Sequence, residues 1–205
     1  MAQSLVRLST VVLGLAVLAG FGCWDRGPSR VYPPGIDSAA ASKALQEFDT
    51  NKDGFIDGAE LDKVPGLKAA LKEVDTNKDG KISADEINAR IGAWKDSKLG
   101  RMPVSCRVTH NGQPLAGATV SFEPEKFLGD QLTVGSGTTN AAGMAKITAV
   151  WKEGLPGVGP GFYRVKVTKT GENIPAKYNT ETTLGQEVAN DAHGIREGII
   201  FDLQY

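Results

Sequence analysis

Two twelve-residue segments carry the side chains best suited to chemistry. The first reads DTNKDGFIDGAE from Asp49, and the second reads DTNKDGKISADE from Asp75, 26 residues later. Each has Asp or Asn at positions 1, 3 and 5 and Glu at position 12, and such oxygen donors suit a hard cation such as Ca²⁺. Glycine at position 6, Gly54 or Gly80, permits the sharp turn that lets a short segment wrap around an ion. The pattern therefore predicts one bound cation for each segment.

Both segments fit the spacing of the EF-hand calcium loop, whose ligands come from positions 1, 3, 5, 7, 9 and 12. Position 7 contributes its backbone carbonyl, and the glutamate at position 12 contributes two oxygens. A single DxNxDG motif is also compatible with a metal-free Asx turn, whereas two complete copies favour metal. The predicted ligands of two calcium ions are Asp49, Asn51, Asp53, Phe55, Asp57 and Glu60 in the first loop, and Asp75, Asn77, Asp79, Lys81, Ser83 and Glu86 in the second.

The residues around the loops predict short helices that share one core. Apolar residues at helical spacing lead into and out of both loops, from Ala44 to Trp94. The short repeat interval and the helix-breaking Pro65-Gly66 pair require short helices between the loops. Isoleucine at position 8 of each loop, Ile56 and Ile82, predicts a short antiparallel bridge, as in paired EF-hands.

A tight pair of calcium loops also resembles the dockerin modules, which bind a cohesin partner. A helix predicted over Ser38–Phe48 enters the first loop, and dockerins lack such a helix. Residues 37–96 hold 13 acidic and 9 basic side chains, a net charge of −4. We therefore expect self-repulsion in this segment when no cation is bound.

The first 22 residues are typical of a signal peptide. Their apolar run, Leu8 to Ala19, is too short for a permanent membrane span. The following GFGC, ending at Cys23, resembles the lipobox of bacterial lipoproteins, in which the cysteine becomes the lipidated first residue. Ordinary signal-peptidase cleavage is the alternative. We predict a signal peptide over 1–22, a Pro/Gly-rich tether over 23–37, and an extracytoplasmic protein of the cell envelope or periplasm, lipid-anchored at Cys23 or secreted.

The apolar pattern changes from helical to alternating after a predicted linker at 97–103. Val104, Cys106 and Val108 alternate with polar residues, and further alternating segments continue to the end of the chain. About seven short strands over roughly a hundred residues are typical of a Greek-key sandwich. We therefore predict a multidomain fold, with a small all-α EF-hand pair at 38–96 followed by an all-β Greek-key sandwich at 104–205.

Five motifs in this C-terminal half occur in a recognisable order. They are NGQPLAGATVSFEP from Asn111, TNAAGMAKI from Thr139, PGFYRVKV from Pro160, IPAKY from Ile174 and IIFDL from Ile199. Together they resemble the carboxypeptidase regulatory-like, transthyretin-like domain of small bacterial secreted and lipid-anchored proteins. The resemblance implies a prealbumin-like fold with an accessory or binding role rather than a reaction.

The remaining residues offer no arrangement for catalysis. The chain has two histidines, and neither belongs to an HExxH zinc motif. Its 23 basic and 24 acidic residues do not supply the positive field that a nucleic-acid binder needs. We predict a non-enzyme that binds Ca²⁺, is either attached to a membrane by an N-terminal lipid or secreted, and has a structural or interaction role toward an extracellular protein or glycan. The alternative is a dockerin-like, carbohydrate-binding or peptide-binding accessory module that serves an enzyme partner.

Overall fold

The computed structural model describes residues 33, 35–151 and 156–205. The predicted signal peptide, the predicted lipidation site Cys23 and most of the predicted tether lie outside these residues. Within the described ranges, none of the helices combines the length and the apolar composition that a membrane crossing requires. The description below therefore concerns the predicted calcium loops and the C-terminal half.

The first part of the described chain is helical. Helix α1 (Ala40–Phe48) enters the first loop, and α5 (Ala84–Asp96) leaves the second. Three helices of four or five residues connect the loops: α2 (Gly58–Leu61), α3 (Pro65–Ala69) and α4 (Leu71–Val74). The prediction of an entering helix and of short connecting helices is thus confirmed. Pro65 begins α3, where its missing N–H removes no intrahelical hydrogen bond.

The two loops are joined by a small antiparallel sheet. Its strands are β1 (Phe55–Ile56) and β2 (Ile82–Ser83), and Ile56 lies opposite Ile82. Both isoleucine side chains are fully buried. The bridge predicted from position 8 of the loops is confirmed, and it fixes one loop against the other.

The C-terminal half is built from eight strands. They are β3 (Val104–His110), β4 (Gln113–Pro114), β5 (Thr119–Pro124), β6 (Gly135–Thr138), β7 (Met144–Ala149), β8 (Gly161–Thr168), β9 (Gly185–Val188) and β10 (Ile199–Leu203). Val104, Cys106 and Val108 are buried while Ser105 and Arg107 between them are exposed, as the alternating pattern predicts. Short 3₁₀ helices at Lys126–Leu128 and Ala176–Tyr178 interrupt the loops.

The strands form one sheet in the order β10-β3-β7-β6-β5-β8-β9, with β4 attached to β3. All pairs in this sheet are antiparallel except β10 with β3, which run parallel. The predicted order of a helical segment followed by a sandwich-like β segment is confirmed. The Greek-key, prealbumin-like topology stays a prediction.

One hydrophobic core joins the helical segment to the sheet. The Trp94 ring of α5 packs edge-on against Phe162 of β8, with 4.6 Å between ring centroids. The Phe48 ring of α1 packs edge-on against the Phe127 ring, with 6.3 Å between ring centroids. These four aromatic side chains belong to a single buried cluster that also contains Ala189. A second cluster lies on the other face of the sheet, around Phe122. The helical segment therefore covers the β8 and β9 side of the β segment.

Candidate calcium sites

The first loop is closed by hydrogen bonds from its own backbone. Asp49 Oδ2 accepts from Gly54 N at 3.0 Å, and Asp53 Oδ1 accepts from Phe55 N at 3.0 Å. Glu60 turns back toward the start of the loop, where its Oε1 accepts from the N–H and hydroxyl of Thr50 at 2.7 and 2.8 Å. These contacts bring the first and last predicted ligands of the loop to the same end of α1.

The second loop repeats this arrangement. Asp75 Oδ2 accepts from Gly80 N at 2.9 Å, and Asp79 Oδ1 accepts from Lys81 N at 2.9 Å. Glu86 Oε1 accepts from Thr76 N at 3.0 Å, and its Oε2 accepts from the N–H and hydroxyl of Ser83 at 3.0 and 2.9 Å. Ser83 also caps α5, because its hydroxyl accepts from Glu86 N.

The backbone of each loop follows the same unusual path. Gly54 and Gly80 have φ values of 90° and 80°, in the left-handed region where a side chain would be strained. Lys52 and Lys78, at position 4 of each loop, also have positive φ, 63° and 62°. The side chains at position 3 also behave alike, because Asn51 Oδ1 accepts from Asp53 N at 2.8 Å and Asn77 Oδ1 accepts from Asp79 N at 3.0 Å. The remaining predicted ligands are Asp57 and the backbone of Phe55 in the first loop, and the backbone of Lys81 in the second.

Both glutamates at position 12 are held in the ionised form that a cation requires. The hydrogen bond from the Thr50 side chain lowers the pKa of Glu60 below its ordinary value. Burial raises the pKa of Glu86, but the hydrogen bonds from Ser83 and Thr76 outweigh it, so the net shift is also downward. Sequence reasoning missed these threonines, although Thr stands at position 2 of both loops.

The donor set of the loops fits calcium. Asp49 Oδ1, at the first ligand position, is buried and has no hydrogen-bond partner, and such an atom favours a bound cation. Across residues 33, 35–151 and 156–205, no three His, Cys, Asp or Glu side chains gather closely enough to hold a metal by themselves. The predicted ligand sets contain four acidic side chains in the first loop and three in the second. Calcium binding therefore requires these carboxylates to draw closer together, and Asn, Ser and backbone carbonyl oxygens complete each set.

A buried ionic network joins α5 to strand β9. Arg90 Nε donates to Glu187 Oε1 at 2.6 Å, and the Trp94 indole N–H donates to the same oxygen at 2.8 Å. The other guanidinium nitrogens of Arg90 contact both carboxylate oxygens of Asp191 at 2.9 Å. Burial raises the pKa of Glu187 in spite of these partners, because its Oε2 is buried and unpartnered.

A second junction lies between α3 and the sheet. Gly66 N donates to Glu125 Oε1 at 3.0 Å, and Arg164 Nη2 donates to the Oε2 of the same fully buried carboxylate at 2.7 Å. Gly185 of β9 lies so close to Pro65 that a Cβ there would stand 1.8 Å from the Pro65 carbonyl oxygen. The connection between the two calcium loops therefore packs directly against the edge strand β9.

Comparison with protein families supports the interpretation of the loops. Residues 42–65 and 67–90 each match the EF-hand family. These segments form an EF-hand pair. The match supports calcium binding by the pair. No curated protein and no solved structure matches the chain.

Other chemically active side chains of the described chain lie outside the EF-hand pair. Cys106 is buried in β3, and burial raises the pKa of its thiol to about 12. His110 stacks on Tyr205 with 3.9 Å between ring centroids, and His193 lies exposed in a loop near the helical segment. The absence of enzymatic activity stays a prediction.

Proposed function

We propose that the EF-hand pair is a structural calcium module that braces the β segment of an extracytoplasmic protein, and that the braced sheet serves an interaction. The observation that carries this proposal is the hydrophobic core that the two segments share, together with the buried ion pair between Arg90 and Glu187. An EF-hand pair that only sensed calcium would not need its helices to complete the hydrophobic core of a neighbouring sheet.

Helix α5 provides the physical link between cation and sheet. Glu86, Arg90 and Trp94 are spaced four residues apart, so they lie along one face of the helix. The first is a predicted calcium ligand, and the other two bind Glu187 of β9. Calcium that fixes the carboxylate of Glu86 therefore also fixes the helix face that contacts the sheet.

The connecting helices depend on the cation for a different reason. Helices α2, α3 and α4 have only four or five residues, and isolated helices of this length are unstable in water. Calcium at Glu60 holds one end of this connection, and the contact of Gly66 with Glu125 holds the middle. Extracellular calcium modules have dissociation constants of roughly 10⁻⁴ to 10⁻³ M, and such a site stays mostly loaded where free calcium exceeds its dissociation constant. This favours a permanent brace over a signalling switch.

The location outside the cytoplasm is part of the proposal. Its support is the apolar run from Leu8 to Ala19 followed by Cys23. Mass spectrometry of the mature N-terminus tests it, and we expect a lipid on Cys23. An unmodified mature N-terminus would contradict the anchoring, and a chain that retains residues 1–22 would contradict export.

Calcium titration of the full-length chain tests the function itself. We expect calorimetry to show two ions bound and the thermal midpoint to rise with calcium concentration. At a free calcium concentration 100 times the dissociation constant, one site stabilises the fold by about 2.7 kcal/mol. The double variant Glu60→Gln and Glu86→Gln should lose both effects, while Asp62→Asn, a charge removed just outside the first loop, should retain them. A parent chain that binds no calcium, or binds it without a change in stability, would contradict the proposal.

A further inference from the structure

A lysine of the second loop reaches into the first. The Nζ atom of Lys81 lies 2.8 Å from Asp57 Oδ2 and 3.4 Å from Asp53 Oδ2. It also stands 5.3 Å from the centre of the Phe55 ring. Asp53 and Asp57 are predicted ligands at positions 5 and 9 of the first loop. One ammonium group therefore contacts two of the four acidic ligands of that site.

The sheet between the loops holds Lys81 in this place. Strand β2 begins at the next residue, Ile82, which is buried and paired with Ile56 of the first loop. The Lys81 backbone is also fixed by the hydrogen bond from its N–H to Asp79 Oδ1. The side chain is about two-fifths exposed, so it can leave the carboxylates without disturbing the core.

We infer that Lys81 is a built-in counter-cation of the first calcium loop, which calcium must displace from Asp53 and Asp57 before these oxygens can bind the ion. This inference rests on calcium binding by the first loop. In the calcium-free chain the ammonium relieves repulsion among the acidic ligands. On loading, its contacts with the two carboxylates are broken, so Lys81 weakens the affinity of the first loop.

The effect is confined to one loop. The residue equivalent to Lys81 in the first loop is Phe55, which has no charge to offer the second loop. By ligand charge alone, four acidic residues against three favour tighter binding in the first loop. Lys81 offsets one of the four charges, so we expect the two loops to have similar affinities.

The test measures calcium binding to the first loop alone. Glu86→Gln in the full-length chain weakens the second loop, and Lys81→Gln is then compared with Lys78→Gln. Lys78 belongs to the same loop, is exposed, and gives the same change in net charge. We expect Lys81→Gln to tighten calcium binding about two- to fivefold, the scale of an exposed ion pair, and Lys78→Gln to change it much less.

A second measurement uses stability rather than affinity. In excess chelator, Lys81→Gln should lower the thermal midpoint, because the acidic ligands lose their counter-cation, and Lys78→Gln should leave it nearly unchanged. Both comparisons are repeated with the second loop intact, which keeps the test valid if Glu86→Gln impairs folding.

The possible results separate the inference from the proposed function. Calcium binding that is unchanged or weakened by Lys81→Gln would overturn the inference alone. Equal tightening by Lys78→Gln would also overturn it, because overall charge would then explain the result. If the parent chain binds no calcium in the first loop, both the inference and calcium binding by that loop fail.

Discussion

Replacement of Arg90 by methionine removes the charge that neutralises Glu187 at the junction between α5 and β9. Methionine retains an unbranched apolar stem but lacks the guanidinium group, so the change removes the charge and its hydrogen bonds while keeping most contacts of the stem. Glu187 is 2% exposed, and in the variant only the Trp94 indole N–H still donates to its carboxylate. The variant thus leaves a buried carboxylate without its cation.

Removal of one partner of a buried ion pair costs about 3–5 kcal/mol. We expect Arg90→Met to lower the free energy of unfolding by an amount in this range at pH 7. The second partner of Arg90, Asp191, is 56% exposed, so loss of that contact adds little. The loss of stability should be smaller at lower pH. Burial raises the pKa of Glu187 above its ordinary 4.5, and loss of Arg90 raises it further. A carboxyl group whose pKa is higher in the folded chain stabilises the fold at pH values below its unfolded-state pKa. This contribution is lost as the pH rises through its folded-state pKa.

Urea denaturation with saturating calcium, at pH 7 and pH 5, measures both effects. Arg107→Met is the matched control, because Arg107 is exposed on β3 and its loss should change stability by less than about 0.5 kcal/mol. In a Glu187→Gln background, Arg90→Met should cost much less than in the parent chain. The reasoning is refuted if Arg90→Met costs no more than Arg107→Met at pH 7, or if its cost is the same in both backgrounds.

Three further predictions concern the packing of the sheet, the calcium loops and the buried thiol. Gly185→Ala places a Cβ against the Pro65 carbonyl and should lower stability by about 1–3 kcal/mol in the same urea assay. The control is Gly92→Ala, whose added Cβ would have no atom within 4 Å, and it should raise stability by up to about 1 kcal/mol. Glu60→Gln and Glu86→Gln should reduce total calcium affinity by similar factors in calorimetry, and a large difference would contradict the offset by Lys81. In a Cys23→Ser chain, Cys106 should react with a thiol reagent at pH 8 only after denaturation, and rapid reaction of the native chain would contradict its burial.

Local patterns were sufficient to predict most elements. The alternation of Val104, Cys106 and Val108 with polar residues predicts a strand where the structure has β3. The isoleucine at position 8 of each loop predicts the pairing of β1 with β2. These predictions hold because the period of apolar residues and the chemistry of the loop are properties of short segments.

The joint core was harder to predict because it depends on packing between distant segments. Phe162 lies on the face of β8 opposite Tyr163 and Val165, yet it is fully buried. An aromatic residue at this outward position was the available signal that something covers the sheet. Glu187 and Glu125 look like surface residues in the sequence, and only their arginine partners on other elements explain their burial.

The contact between Lys81 and the first loop was also beyond sequence reasoning. The loop pattern assigns position 7 a backbone role and says nothing about its side chain. The pairing of Ile56 with Ile82 places position 7 of the second loop beside the ligands of the first, but only the folded structure shows that the Lys81 side chain contacts them. Sequence therefore predicts the ligands better than the charges that surround them.

Hydrogen exchange of the full-length chain, with saturating calcium and with excess chelator, tests the central claim most directly. If calcium braces the sheet through α5 and α3, the chelator should speed amide exchange in α5 and also in β9 and the adjoining part of β8, with β3 and β7 little changed. Faster exchange confined to residues 38–96, with β8 and β9 as protected as before, would show that the EF-hand pair opens without effect on the sheet and would contradict the account.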